Sequence, residues 1–235
     1  MSRRFTPIGA ADCGVVLRAA LACGALPAGR NPVQAHDLAL LRARIAELQA
    51  AFPPGTLHAV AVKANPLVAL LAEVVGTGAG LEAASMEEVE CALAAGCPPA
   101  RLIFDSPAKT RGELARALSL GLVINLDNFD ELERTAALLA NGPAGARVGL
   151  RINPGVGAGH IAITSVATRE SKFGIPLADG RAAIIEAFCH YHWLRGLHVH
   201  VGSQGCRLEQ LVAAARAVDD LRAGIEAVRP GQIEF

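Results

Sequence analysis

The feature that most restricts this chain is a rhythm. Short apolar runs of small and β-branched residues alternate with helix-length segments, at roughly 20–25 residues per unit. The runs are His58–Lys63, Gly80–Ala84, Arg101–Asp105, Leu122–Leu126, Arg147–Ile152 and Gly196–Val201, and Ile233-Glu234-Phe235 opens another. Helices are predicted over Leu67–Val75, Met86–Ala95, Thr110–Leu120 and Phe129–Leu139, within Leu177–Phe188, and over Leu208–Val228. Gly96, Pro98-Pro99 and Gly121 punctuate them. Strands joined through helices pair in parallel, and a (β/α)8 barrel is the natural closure of such a sheet. About seven strands are countable where a barrel needs eight. The expectation is an incomplete barrel with two unpaired edges and poor stability on its own.

Ahead of that pattern the chain reads differently. Two arginines precede the apolar run Gly14-Val15-Val16-Leu17, which looks like a secretory leader until Asp12 and Arg18 are seen to interrupt it. A short helix is predicted there, broken by Asn31-Pro32. Val33–His36 reads as a short strand. Asp37 suits a helix N-cap, and Leu38, Leu41, Ile45 and Leu48 follow at helical spacing until Pro53-Pro54-Gly55. The domain reading is thus an N-terminal segment, 1–37, and a barrel domain, 38–235.

Composition removes several classes of function. The formal net charge is zero and aromatic residues make up 4% of the chain, which argues against a nucleic-acid partner. No apolar run is long enough to span a bilayer. The six cysteines (13, 23, 91, 97, 189 and 206) show no metal-type pairing, which suits a reducing cytoplasm and no bound metal.

The chemistry centres on His58-Ala59-Val60-Ala61-Val62-Lys63-Ala64-Asn65-Pro66, a run that reads as a buried strand ending in a lysine. Lys63 either caps the strand end in water or is a Schiff-base lysine whose amine attacks an aldehyde. His198 and His200 share one face of their strand by period-two alternation. They either fill a barrel layer or face a ligand. Gly202 and Ser203 follow, offering close backbone approach and a hydroxyl donor to an anion, although Gly-Ser also marks ordinary turns. Arg151, beside Asn153-Pro154, needs an anionic partner if buried. Glu82 could pair with Arg151 or help position Lys63. Residues 155–170, rich in Gly, Ser and Thr, read as a mobile active-site loop. Lys172 is a surface charge or a contact to a partner domain, and Asn65 and Asp127 are further pocket candidates.

Several of these strings resemble one family, the pyridoxal-phosphate-dependent ornithine/diaminopimelate/arginine decarboxylases, which share the alanine-racemase-like fold. They are Ala61–Asn65, Gly80–Ser85, Asn125–Leu132, Leu150–Pro154, Ser171–Ile175 and His198–Gln204. Within that family the match is nearest to diaminopimelate decarboxylases. The resemblance implies a barrel that binds pyridoxal 5′-phosphate on Lys63. It places His200 against the pyridine ring, Ser203 on the phosphate, Arg151 near the ring hydroxyl, and Glu82 where most members carry Asp. It also implies a cytoplasmic enzyme acting on a small amino acid, homodimeric at full length, with a phosphate loop, a proton donor and a β-domain beyond Phe235. The expectation is therefore an N-terminal portion that is inactive alone. Three alternatives stand: a single-domain pyridoxal-phosphate barrel, a non-catalytic remnant, and a sugar-phosphate barrel that leaves the lysine and histidine strings unexplained.

Overall fold

The computed structural model describes residues 10–26, 34–140, 145–156, 171–202 and 206–235. Two compact units emerge, residues 1–43 and 44–235. In the first, helix α1 spans Ala10–Ala22 where a helix was expected, with Asp12 in its first turn. Residues 34–37 carry no strand, and Val33 lies outside the described residues. A strand is defined by its ladder, so this short run could register as one only with a partner beside it. Asp37 does cap the next helix: its Oδ1 accepts from the Leu40 N–H at 2.9 Å. That helix, α2, runs Leu38–Ala51, its residues from Arg44 onward falling in the second unit, and ends before Pro53.

The second unit is a parallel α/β array. Its strands are β1 (Ala59–Ala61), β2 (Gly80–Ala83), β3 (Leu102–Phe104), β4 (Val123–Leu126), β5 (Arg147–Asn153), β6 (Ile175–Pro176) and β7 (Leu194–Val199). The helices are α3 (Val68–Gly76), α4 (Met86–Ala94), α5 (Arg111–Leu120), α6 (Phe129–Leu139), α7 (Leu177–His190) and α8 (Leu208–Val228). Every ladder among the described residues is parallel. β1 to β5 pair in sequence order, and β5 carries three neighbours: β4 along Arg147–Leu150, β7 along Val148–Ile152, and β6 at Ile152 and Asn153. Among the described residues no ladder joins β7 back to β1. The last residues run beside β7, with the Leu197 N–H donating to Phe235 O at 2.9 Å and the Glu234 N–H to Arg195 O at 2.8 Å.

Two details depart from expectation. β1 is half-buried rather than buried, because among the described residues it forms a ladder only with β2. It is also shorter: Val62–Ala64 turn as a 3-10 helix, so Lys63 sits in that turn just past the strand. β6 was not expected, as two residues carry no periodic signal.

Alternation along the strands divides the residues between two layers. Leu81, Phe104, Ile124, Leu126, Leu150 and Ile152 are at most 1% exposed and form the core under the helices, with Leu114, Leu132, Ile184, Leu221 and Ile225. Three helices open on the same device. Ser85 Oγ accepts from the Glu88 N–H, Thr110 Oγ1 from the Glu113 N–H, and Asn128 Oδ1 from the Glu131 N–H. In each case the glutamate reaches back: Glu113 closes a capping box on Thr110, while Glu88 and Glu131 accept the N–H of the residue before the cap, Ala84 and Asp127.

Glycine is required where β2 starts. A Cβ on Gly80 would collide with the main-chain carbonyl of Arg101, which cannot swing aside as a side chain can. Gly80→Ala is expected to destabilise by about 2–3 kcal/mol, lowering Tm by roughly 4–12 °C. Gly76→Ala, which meets open space at the end of α3, serves as the control. Equal melting of the two variants would refute the steric account.

Candidate functional site

The strand registers assemble the other layer of alternate residues. Ala61 pairs with Glu82, Glu82 with Ile103, Ile103 with Val123, Asn125 with Gly149, Gly149 with Gly196, and Arg151 with His198. Continuing by two toward the C-terminal strand ends adds Asp105, Asp127, Asn153 and His200. This layer is strongly polar, and it lies at the end of the sheet where α/β barrels carry their chemistry.

Lys63 enters it from the 3-10 turn. Its Nζ lies 3.6 Å from Glu82 Oε2, with the lysine side chain 52% exposed and the glutamate 17%. Burial raises the Glu82 pKa above the ordinary carboxylate value; Lys63 opposes this, and Asp105 and Glu88 add to it. Arg151 is buried, its Nη1 3.6 Å from Asp127 Oδ1 and its guanidinium 4.9 Å from the Phe173 ring centre. Asp127 Oδ1 also accepts the Gly174 N–H at 3.2 Å. Burial raises the Asp127 pKa against the pull of Arg151, the Gly174 N–H and Lys109. His198 Nε2 lies 3.4 Å from Asp105 Oδ2. Burial lowers its pKa to about 4, with Asp105 opposing and Arg151, His200 and Lys109 adding to the drop. His200 is lowered as well, by burial first and then by the charges of Arg151 and Lys63. Both imidazoles are therefore neutral at neutral pH.

The structure thus brings Lys63, Glu82, Arg151 and His200 into one polar cluster. Gly202, half-buried, follows β7. Ser203 and residues 157–170 of the expected mobile loop lie outside the described residues. Asp127 joins the pocket through Arg151. Asn65 serves its turn, its Oδ1 accepting the Leu67 N–H at 3.2 Å. Lys172 is exposed, 5.2 Å from the Phe173 ring centre. Sequence reasoning missed Asp105, whose signal was its place at the end of a predicted strand. It also missed the fully buried pair Lys109 and Glu131.

His198 makes the stability pH-dependent. In the unfolded chain its pKa is near 6.5 and in the fold about 4. Between those values the unfolded state binds more protons, so stability falls as pH drops through that window. From pH 7.5 to pH 5 this amounts to about 2 kcal/mol. His198→Gln is expected to lose that much less over the same interval in urea unfolding, since the shifted carboxyls are common to both proteins. Equal losses would contradict a neutral buried His198.

Three buried polar atoms lining this layer have no hydrogen-bond partner among the described residues: Glu82 Oε1, Asp105 Oδ1 and His198 Nδ1. Such atoms call for a polar occupant. The chain contains only three lysines, 63, 109 and 172. One is buried in an ion pair, one is on the surface, and Lys63 alone presents an amine to the pocket. A reachable amine, a buried guanidinium and unfilled acceptors fit an anionic aldehyde with a polar ring, a description that pyridoxal phosphate, the cofactor the resemblance implies, meets.

Fold and site together define an α/β protein of TIM-barrel type, its sheet open among the described residues. The chain belongs to the pyridoxal-dependent decarboxylases: residues 38–228 match the family's pyridoxal binding domain. It is 34% identical to the diaminopimelate decarboxylase of Deinococcus radiodurans over 195 residues, 83% of this chain and 49% of that protein. It is 36% identical to that of Pseudomonas aeruginosa over 156 residues, 66% of this chain and 38% of that protein. Among solved structures, Helicobacter pylori diaminopimelate decarboxylase complexed with L-lysine superposes with a TM-score of 0.78 at 26% identity, over 86% of this chain and 52% of that one. The chain thus spans about half or less of the length of these relatives. No described helix is long and apolar enough to cross a membrane.

Proposed function

We propose that this chain is the pyridoxal-phosphate-binding portion of an amino-acid decarboxylase whose substrate is diaminopimelate. The observation that carries the reading is Lys63, the single lysine amine at the pocket, held beside Glu82. The names of the relatives support the substrate. Lys63 is the residue that bonds the cofactor's aldehyde carbon. Glu82 holds the Lys63 amine toward the pocket by charge. His200, neutral, offers a flat face to an aromatic ring without opposing its positive charge. Arg151 supplies a fixed cation, and Asp127 keeps it from collapsing onto the wrong anion. Gly202 and Ser203 supply backbone and hydroxyl donors to the phosphate. Pyridoxal phosphate, once bound, supplies a ring that accepts the electron pair left as the substrate's carboxyl group departs as carbon dioxide. Residues 1–37 form a segment distinct from the cofactor-binding domain, 38–235. The full-length form is a homodimer. Six free thiols favour a reducing cytoplasm.

The test is borohydride reduction of the protein with added pyridoxal phosphate, followed by peptide mapping. A phosphopyridoxyl group on the peptide holding Lys63 supports the reading. A group on Lys109 or Lys172, or none on a folded sample, overturns it.

A further inference from the structure

Behind the pocket lies a charged pair that the reading above does not use. The Lys109 and Glu131 side chains are fully buried, with Nζ 2.9 Å from Glu131 Oε2. Every polar atom of the glutamate is engaged. Oε1 accepts the Lys109 N–H at 2.7 Å, and Oε2 also accepts the Asp127 N–H at 2.9 Å. The ammonium donates to Ser106 O and lies 5.7 Å from the Phe104 ring centre. The pair ties the segment after β3 to the turn after β4. That turn carries Asp127, whose Oδ1 meets Arg151 Nη1 and the Gly174 N–H. A buried ion pair is a poor way to gain stability, because desolvation offsets the attraction; fixing one geometry is a better account of it. The charge of Lys109 also reaches both Asp127 and His198.

We propose that Lys109 and Glu131 are positioning residues for the cofactor pocket: they fix the Asp127 main chain, so that its carboxylate holds the Arg151 guanidinium facing the cofactor. Neither side chain touches the cofactor. The inference rests on the pyridoxal-phosphate reading, which the experiment checks first.

The experiment is a double-mutant cycle on cofactor affinity. Pyridoxal phosphate is titrated by absorbance into four proteins: the parent, Lys109→Met, Asp127→Asn, and the combination. Lys109→Met in the parent is expected to weaken binding about tenfold. In the Asp127→Asn background, where the last charged link is gone, the same substitution is expected to change affinity less than twofold. A purely structural role would lower Tm yet leave the affinity of the folded protein unchanged, or change it by the same factor in both backgrounds; either result overturns the inference. If Lys109→Met does not fold, Lys109→Met/Glu131→Gln removes both charges and replaces it in the cycle. A folded parent that binds no pyridoxal phosphate overturns both the function and this inference. A binding parent without coupling overturns this inference alone.

Discussion

Lys63→Ala is expected to abolish the borohydride-stable attachment of pyridoxal phosphate entirely, while leaving the protein folded. The two halves of that expectation have separate physical grounds. The covalent bond needs an unshielded primary amine at the pocket, and the other lysines cannot substitute. Lys109 has no exposed side-chain surface, and Lys172 is exposed in the segment ahead of β6, away from the Lys63–Glu82 pair. The fold, by contrast, loses little. The Lys63 side chain is 52% exposed, and an ion pair so open to water contributes only about 0–1 kcal/mol. Lys63→Arg keeps the positive charge beside Glu82 but has no amine able to form the bond, so it too is expected to fail. The measurement is mass spectrometry of the reduced protein beside far-ultraviolet circular dichroism. Undiminished labelling in Lys63→Ala would remove this residue from the chemistry.

Glu131→Ala is expected to be the most destabilising single substitution named here, by about 3–5 kcal/mol, with Tm lowered by roughly 6–20 °C. It deletes one carboxylate and strands three donors: the Lys109 ammonium, the Lys109 N–H and the Asp127 N–H. Two are main-chain groups of buried residues left without their acceptor, and the third is a charge in the protein interior. Lys109→Met/Glu131→Gln should lose much less, because it removes both charges and keeps an amide oxygen for one of the two N–H groups. Urea unfolding of the two variants gives the comparison. A Glu131→Ala protein within 1 kcal/mol of the parent would mean that water reaches the pair.

These two residues also show what can and cannot be read from a linear chain. Helices α4, α5 and α6 were legible nearly to the residue, because Ser85, Thr110 and Asn128 each stand three positions before a glutamate. That signal is local, and the structure honours it. What Glu131 does beyond its own helix was not legible. Its third donor, the ammonium of Lys109, comes from 22 positions earlier and reaches it only because β3 and β4 are neighbours. Arg151 and His200 could be named as site residues because Leu150–Pro154 and His198–Gln204 resemble the family's strings; alternation alone put only His198 and His200 on one face. The meeting of Arg151 with Asp127 depends on the β4–β5 register, which no local pattern sets. The 3-10 turn at Val62–Ala64 was hidden for a related reason: an edge strand lacks a second ladder to hold it extended, so apolar residues alone did not mark where β1 stops.

The order of the ladders bears on how the protein is made. From β1 to β5, each strand pairs with the strand synthesised just before it. A ribosome delivers residues far more slowly than such local units close. Each strand–helix unit can therefore dock on its predecessor as it emerges, and few residues separate the partners that must find each other. β5 breaks the pattern, since it must wait for both β6 and β7 before its edges are filled. The nascent chain is then most exposed to a stray partner during the interval between residues 153 and 194, and that interval is when a chaperone would be of greatest use.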